Sequence, residues 1–134
     1  MWHTDQGQAM HSRYLDDFKP GDRFTSRRAS LTEGQIVDFA MVYDPQHMHV
    51  DRQAAEEGPF GGLIASGFQT LGVTFRLFFD LGLITDTNII GRGMDELRWP
   101  APVYPGDTLH MVAEVLEVIP SRSKPDRGSL RWQF

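Results

Sequence analysis

Ser66-Gly67-Phe68-Gln69-Thr70-Leu71-Gly72-Val73-Thr74-Phe75-Arg76-Leu77-Phe78-Phe79 places Phe68, Leu71, Phe75, Phe78 and Phe79 on one broad apolar face at helical spacing, and Leu81-Gly82 supplies a stop. The stretch predicts a long helix at the buried centre of the molecule. Three strand-like segments follow it: Ile89 to Trp99, Asp107 to Val118 and Gly128 to Phe134. Proline- and glycine-bearing turns separate them, at Pro100-Ala101-Pro102 with Tyr104-Pro105-Gly106-Asp107, and between Pro120 and Gly128. Consecutive strands after one long apolar helix imply an antiparallel sheet wrapped around that helix, an α+β plan. Upstream, the turn Phe18-Lys19-Pro20-Gly21-Asp22 leads into a first strand from Phe24 to Leu31. Thr32-Glu33-Gly34-Gln35 has the spacing of a capping box, and Ile36, Phe39, Ala40 and Tyr43 repeat at helical intervals until Pro45 forces an exit. Asp44 therefore sits where a helix ends. A second short helix, capped by Asp51, is expected over residues 52–57.

The chain has 134 residues, enough for one core and too few for two ordinary domains. Residues 1–13 are polar and without period, and read as a flexible tail before a single domain over 14–134. A net charge of -5 argues against a nucleic-acid binder, which carries a basic surface to neutralise phosphates. The absence of cysteine excludes a disulfide, a thiolate nucleophile and a Cys-ligated zinc. The N-terminus lacks a signal-peptide pattern, and no run approaches the ~20 apolar residues of a membrane span. A soluble, cytoplasmic protein is the expectation.

The chemistry-bearing residues lie between Asp44 and Gly67. Asp44-Pro45-Gln46-His47-Met48-His49-Val50-Asp51 sets a carboxylate and an imidazole close together on a rigid turn, and Gly61-Gly62-Leu63-Ile64-Ala65-Ser66-Gly67 approaches the start of the long helix. An Asp and a His so placed can share a water and move its proton. A backbone N–H at a helix start can stabilise an oxygen on which charge develops. The combination suggests water chemistry on a carbonyl compound.

These residues also carry a family resemblance covering roughly residues 14 to 134. Asp44, Gln46, His49 and Asp51 match the hydratase motif of the MaoC-like dehydratases, hotdog-fold proteins that include the (R)-specific enoyl-CoA hydratases. Gly67 corresponds to the family's glycine at the start of the central hotdog helix, and the segment from Arg98 to Asp107 is similar to its strand-turn-strand element. The resemblance implies syn hydration of a trans-2-enoyl thioester, or the reverse dehydration. Asp44 and His49 would hold and deprotonate the water, and the Gly67 amide would polarise the thioester carbonyl. Gln46, Ile64, Ser66 and Phe68 would contact substrate. No metal or nicotinamide is implied; coenzyme A enters only as part of the substrate thioester. A homodimer or larger homo-oligomer is implied, with substrate entering between subunits.

Two features depart from that pattern. His47 stands where relatives usually have a proline, which frees a backbone N–H and loosens the turn between Asp44 and His49. The sequence also stops at Phe134 inside an alternating segment, where a hotdog is expected to continue through another strand. Each site residue has a plainer reading as well. Asp44 can simply be a turn residue, and His49 a packed imidazole. His47 and His49 with Asp44 have spacing that allows a metal. Gly61-Gly62 resembles a phosphate cradle but lacks the Lys and Ser/Thr of a P-loop. Arg122, Lys124 and Arg127 form a basic loop able to meet coenzyme A phosphates or simply to be solvated. A hotdog thioesterase and a non-catalytic acyl-binding protein are the alternative functions.

Overall fold

A computed structural model describes residues 12–134. After a 3-10 turn at Leu15–Asp17 the elements are β1 (Arg23–Thr25), β2 (Ala29–Ser30), α1 (Glu33–Tyr43), α2 (His47–Val50), α3 (Arg52–Glu57), α4 (Gly67–Asp80), β3 (Thr108–Leu109), β4 (Val112–Pro120) and β5 (Gly128–Gln133). Helices beside antiparallel sheet make this the expected α+β class. The contacts gather the chain into two compact units. One holds residues 12–26, 76–91 and 111–134; the other holds 27–75 and 92–110.

In the first unit β4 is the central strand of an antiparallel sheet ordered β1-β4-β5, with Phe24 opposite Ala113 and Val115 opposite Trp132. The register slips between Val115 and Glu117, a bulge that changes the alternation along β4. Ala113 and Val115 are buried. The apolar filling is aromatic: Trp132 meets Phe18 edge-on at 5.4 Å and Phe78 at 5.0 Å, and Phe78 meets Phe134 at 4.9 Å. Such edge-to-face pairs add to the burial of the rings themselves. Through Phe78, the end of α4 packs on β5.

Gly128, at the start of β5, has no room for a side chain. A Cβ there would lie 2.5 Å from the Ile119 carbonyl oxygen and 2.5 Å from Leu15 Cδ2. The first of these is backbone inside a strand pair and cannot swing aside. Gly128→Ala is therefore expected to destabilise the fold by about 1–3 kcal/mol, the usual cost of overpacking, read as a lower denaturant midpoint.

In the second unit β2 and β3 pair antiparallel, Ala29 opposite Leu109. Buried Leu31, Ile36 and Ala65 pack with Val73, Val103 and Leu109, so the first part of α4 contributes to this core. The capping box that the sequence indicated is formed: Gln35 N–H donates to Thr32 Oγ1 at 3.1 Å, and Thr32 N–H donates to Gln35 Oε1 at 2.9 Å. A cap of this kind stabilises a helix by about 1 kcal/mol. It sets the phase of α1, burying Ile36 and Ala40 and bringing the helix end to Asp44.

Three strand expectations need correction. The strand expected from Phe24 to Leu31 is broken into β1 and β2, and that expected from Asp107 to Val118 into β3 and β4, where Ser26 exchanges hydrogen bonds with Met111: Ser26 N–H to its carbonyl at 2.9 Å, and Met111 N–H to Ser26 Oγ at 2.8 Å. Residues 89–99 form no strand; Ile89, Ile90, Met94, Leu97 and Trp99 are exposed, and Glu96 interrupts the run with a φ of 53°. The expected tail over residues 1–13 lies outside the described residues up to residue 11. Ser12 and Arg13 are held, by Ser12 Oγ–H on Asp86, Arg13 N–H on the Leu83 carbonyl, and the Arg13 guanidinium 5.0 Å over the Phe24 ring. None of the described helices is long and apolar enough to cross a membrane.

Candidate active site

The turn after α1 is closed by its own backbone. Gln46 N–H donates to the Asp44 carbonyl at 2.8 Å, His49 N–H to the Gln46 carbonyl at 2.9 Å, and Asp51 N–H to the His47 carbonyl at 2.8 Å. His47 thus opens the one-turn helix α2, which the sequence reading did not anticipate. Asp51 then caps α3 as expected, accepting from Ala54 N–H at 3.0 Å. The result returns the His49 ring to Asp44, with Nε2 3.4 Å from Oδ2.

His49 is only 4% exposed, and its Nδ1 lies 2.7 Å from the Ile64 carbonyl oxygen. A carbonyl can only accept, so Nδ1 carries the hydrogen. In the uncharged ring the lone pair is then on Nε2, facing Asp44. The loop that supplies this carbonyl is pinned. Ile64 N–H donates to the Met48 carbonyl at 3.0 Å, Ala65 N–H to that of Val103 at 2.8 Å, and the Tyr104 hydroxyl to that of Phe60 at 2.9 Å.

The Asp44 carboxylate accepts from the Ser66 hydroxyl at 2.7 Å on Oδ2 and from the Gln46 side-chain amide at 2.7 Å on Oδ1. The Ser66 bond, then the Gln46 bond, hold its pKa below the ordinary aspartate value; partial burial opposes them and the nearby His49 assists them. Asp44 is consequently ionised at neutral pH. Its Oδ2 and the unprotonated Nε2 are both acceptors, and two acceptors 3.4 Å apart call for a hydrogen between or beside them. Either Nε2 is protonated and the two form an ion pair, or a water donates a hydrogen to each.

Ser66, expected among substrate contacts, is fully buried and bonded to Asp44. Its Oγ also accepts from Phe68 N–H at 3.3 Å, which ties the first turn of α4 to the carboxylate. Gly67 is the first residue of α4, and among the described residues its N–H has no acceptor. That leaves it available at the positive end of the helix. The Trp99 indole covers this glycine, donating Nε1–H to the Gly67 carbonyl at 2.9 Å. Trp99 drew no notice as a site residue in the sequence.

Ile64 is buried and meets His49 through its backbone, Gln46 and Phe68 are exposed, and the Phe68 ring stands edge-on to Trp99 at 5.6 Å. A depression of about 380 Å³ is lined by Gln46, His47, Met48, Ala55, Pro59 and Phe60 among others. Asp44 and His49 do not line it. Among the described residues no three His, Cys, Asp or Glu are grouped to hold a metal. In the basic loop, Arg127 is engaged with Asp126 at 3.0 and 3.1 Å.

The family model of the MaoC like domain matches residues 17–129. The chain is 40% identical over 110 residues to the YdeM protein of Bacillus subtilis, covering 82% of this chain and 78% of that protein. It is 36% identical over 129 residues to protein MaoC of Klebsiella aerogenes, covering 91% of this chain and 38% of that one. Over 91 residues it is 36% identical to 3-hydroxyacyl-thioester dehydratase Z of Mycobacterium tuberculosis, covering 66% and 60%. The chain thus spans less than two thirds of the length of the last two. The crystal structure of a MaoC-like dehydratase from Rhodospirillum rubrum superposes with a TM-score of 0.84 at 44% identity, over 91% of this chain and 83% of that one. The shared architecture is the hotdog fold.

Proposed function

Because this chain belongs to the MaoC-like domain family, we propose that it is an acyl-thioester hydratase or dehydratase, adding water to a trans-2-enoyl-CoA or removing it from the 3-hydroxyacyl product. The observation that carries this reading is the facing pair, Asp44 Oδ2 and His49 Nε2, 3.4 Å apart with the ring's other nitrogen fixed on the Ile64 carbonyl. A water donating to both presents its oxygen lone pair away from them, towards an incoming alkene carbon. As that oxygen bonds to Cβ, one water proton passes to the pair and the π electrons move to Cα and the thioester carbonyl. The enolate oxygen takes the Gly67 N–H, and the pair returns a proton to Cα on the face from which water came. The sum is syn addition of one water, with no change of oxidation state and no electron carrier required. Acid/base groups of this kind contribute about 10²–10⁴ in rate, and an oxyanion donor about 3 kcal/mol.

A homodimer belongs to the same reading. Met41, Val42 and Tyr43 at the end of α1, next to Asp44, are exposed apolar residues of the kind a second copy covers, and a substrate entering between two copies would meet the site there. Sedimentation at assay concentrations would report it. The function itself is tested with a panel of short, medium, branched and aromatic trans-2-enoyl-CoA substrates. The expected result is loss of the conjugated enoyl absorbance without release of free thiol. Thiol release would identify a thioesterase. Saturable binding with no turnover would identify an acyl-binding protein, and either outcome overturns the proposal.

A further inference from the structure

We propose that Trp99 is a positioning residue for this site: its indole N–H on the Gly67 carbonyl orders the peptide through which α4 reaches Asp44. The Gly67 carbonyl and the Phe68 N–H belong to one planar peptide, so a donor on the oxygen fixes the direction of the N–H and strengthens it. That N–H donates to Ser66 Oγ at 3.3 Å, and Ser66 donates to Asp44 Oδ2 at 2.7 Å. A continuous run of donors therefore leads from the indole, at 2.9 Å from the Gly67 oxygen, to the carboxylate that faces His49.

Two further observations fit this role. A Cβ on residue 67 would overlap the indole, with Trp99 Cδ2 and Nε1 both 2.7 Å away, so the ring occupies space that only glycine leaves open. Three residues before Trp99, Glu96 takes a φ of 53° in a bend at Asp95-Glu96. A non-glycine residue in that region is disfavoured and persists where the surroundings hold it. The Phe68 ring stands edge-on to the indole, so shape and hydrogen bond act together and must be separated by experiment.

The separation uses Trp99→Phe and replacement of Trp99 by benzothienylalanine, an isostere with sulfur in place of the N–H. Asp44 is the reporter. The groups facing its carboxylate are the Ser66 hydroxyl, the Gln46 amide and the His49 ring, and among the described residues His49 is its one ion-pair partner. In both variants the Asp44 carboxyl carbon, followed by NMR in the full-length protein, is expected to titrate at higher pH than in the wild type. With the hydration reading of the preceding section, kcat falls about tenfold with KM little changed, and the acid limb of the kcat profile moves the same way. An unchanged Asp44 titration in both folded variants overturns the proposal, whatever the rates. A rise in KM alone with that titration unchanged makes Trp99 a substrate wall and likewise overturns it. If the titration moves while the wild type hydrates no enoyl-CoA, the positioning role stands and the hydration reading falls.

Discussion

Asp44→Asn is expected to lower kcat for hydration by about 10³-fold in a protein that still folds, since a general acid/base contributes roughly 10²–10⁴. An asparagine oxygen can still accept from Ser66, so the buried hydroxyl keeps a partner while the charge and the proton acceptor are gone. His49 needs a more careful choice. His49→Ala removes the base but also strips the buried Ile64 carbonyl of the donor 2.7 Å away, which costs about 1–3 kcal/mol by itself. His49→Asn is the cleaner variant, because its amide N–H can take the place of Nδ1–H while nothing replaces Nε2. It is expected to fold with a near-normal melting temperature and to lose about 10²–10⁴ in both kcat and kcat/KM, the pattern of an interaction made in the transition state. Steady-state kinetics beside thermal melts decide the matter. Rates within a few-fold of wild type for Asp44→Asn or His49→Asn would remove the acid/base pair from the mechanism.

How much of this was legible beforehand depends on whether the signal was local. The capping box at Thr32, the end of α1 at Asp44, the cap of α3 at Asp51 and the length of α4 are written in neighbouring residues, and the structure has them within a residue or two. The strand-like segment from Ile89 to Trp99 misled, because apolar residues between turn signals do not show that a neighbouring strand exists to bond them. Glu96 in the left-handed region then breaks the run, and nothing in its side chain announces that. The one-turn helix α2 was hidden by Pro45, whose stop signal masked the restart at His47.

The site divides the same way. Asp44 and His49 are five residues apart, and a turn motif is enough to pair them. The groups that set their states act across long stretches of chain and through atoms that carry no residue identity. Ile64 acts by its carbonyl, so its apolar side chain pointed to a substrate wall instead. Ser66 reaches back to Asp44 over 22 residues, and Trp99 reaches Gly67 over 32. Only the fold brings such pairs together.

Ser66→Ala is expected to have the next largest effect, on the pH dependence of both rate and stability. The hydroxyl is completely buried and is the foremost cause of the lowered Asp44 pKa. Its removal lets that pKa rise, so the acid limb of the kcat profile moves to higher pH. Rate at neutral pH falls by about tenfold or more as the carboxylate loses the bond that aims it. The stability effect follows from linkage. A carboxyl whose folded pKa lies below its unfolded value of about 3.9 contributes stability that is fully present above that value and disappears as pH falls through the folded one. Wild type should therefore exceed Ser66→Ala by about 1.5–3 kcal/mol at neutral pH, the usual strength of a hydrogen bond to a charged group. The gap should narrow in strong acid, where Asp44 is protonated in the folded and unfolded chains alike. Urea denaturation at a series of pH values measures it directly. A gap that stays constant with pH would mean that Ser66 stabilises the fold only by packing, and an unmoved acid limb would mean that it does not govern the Asp44 charge.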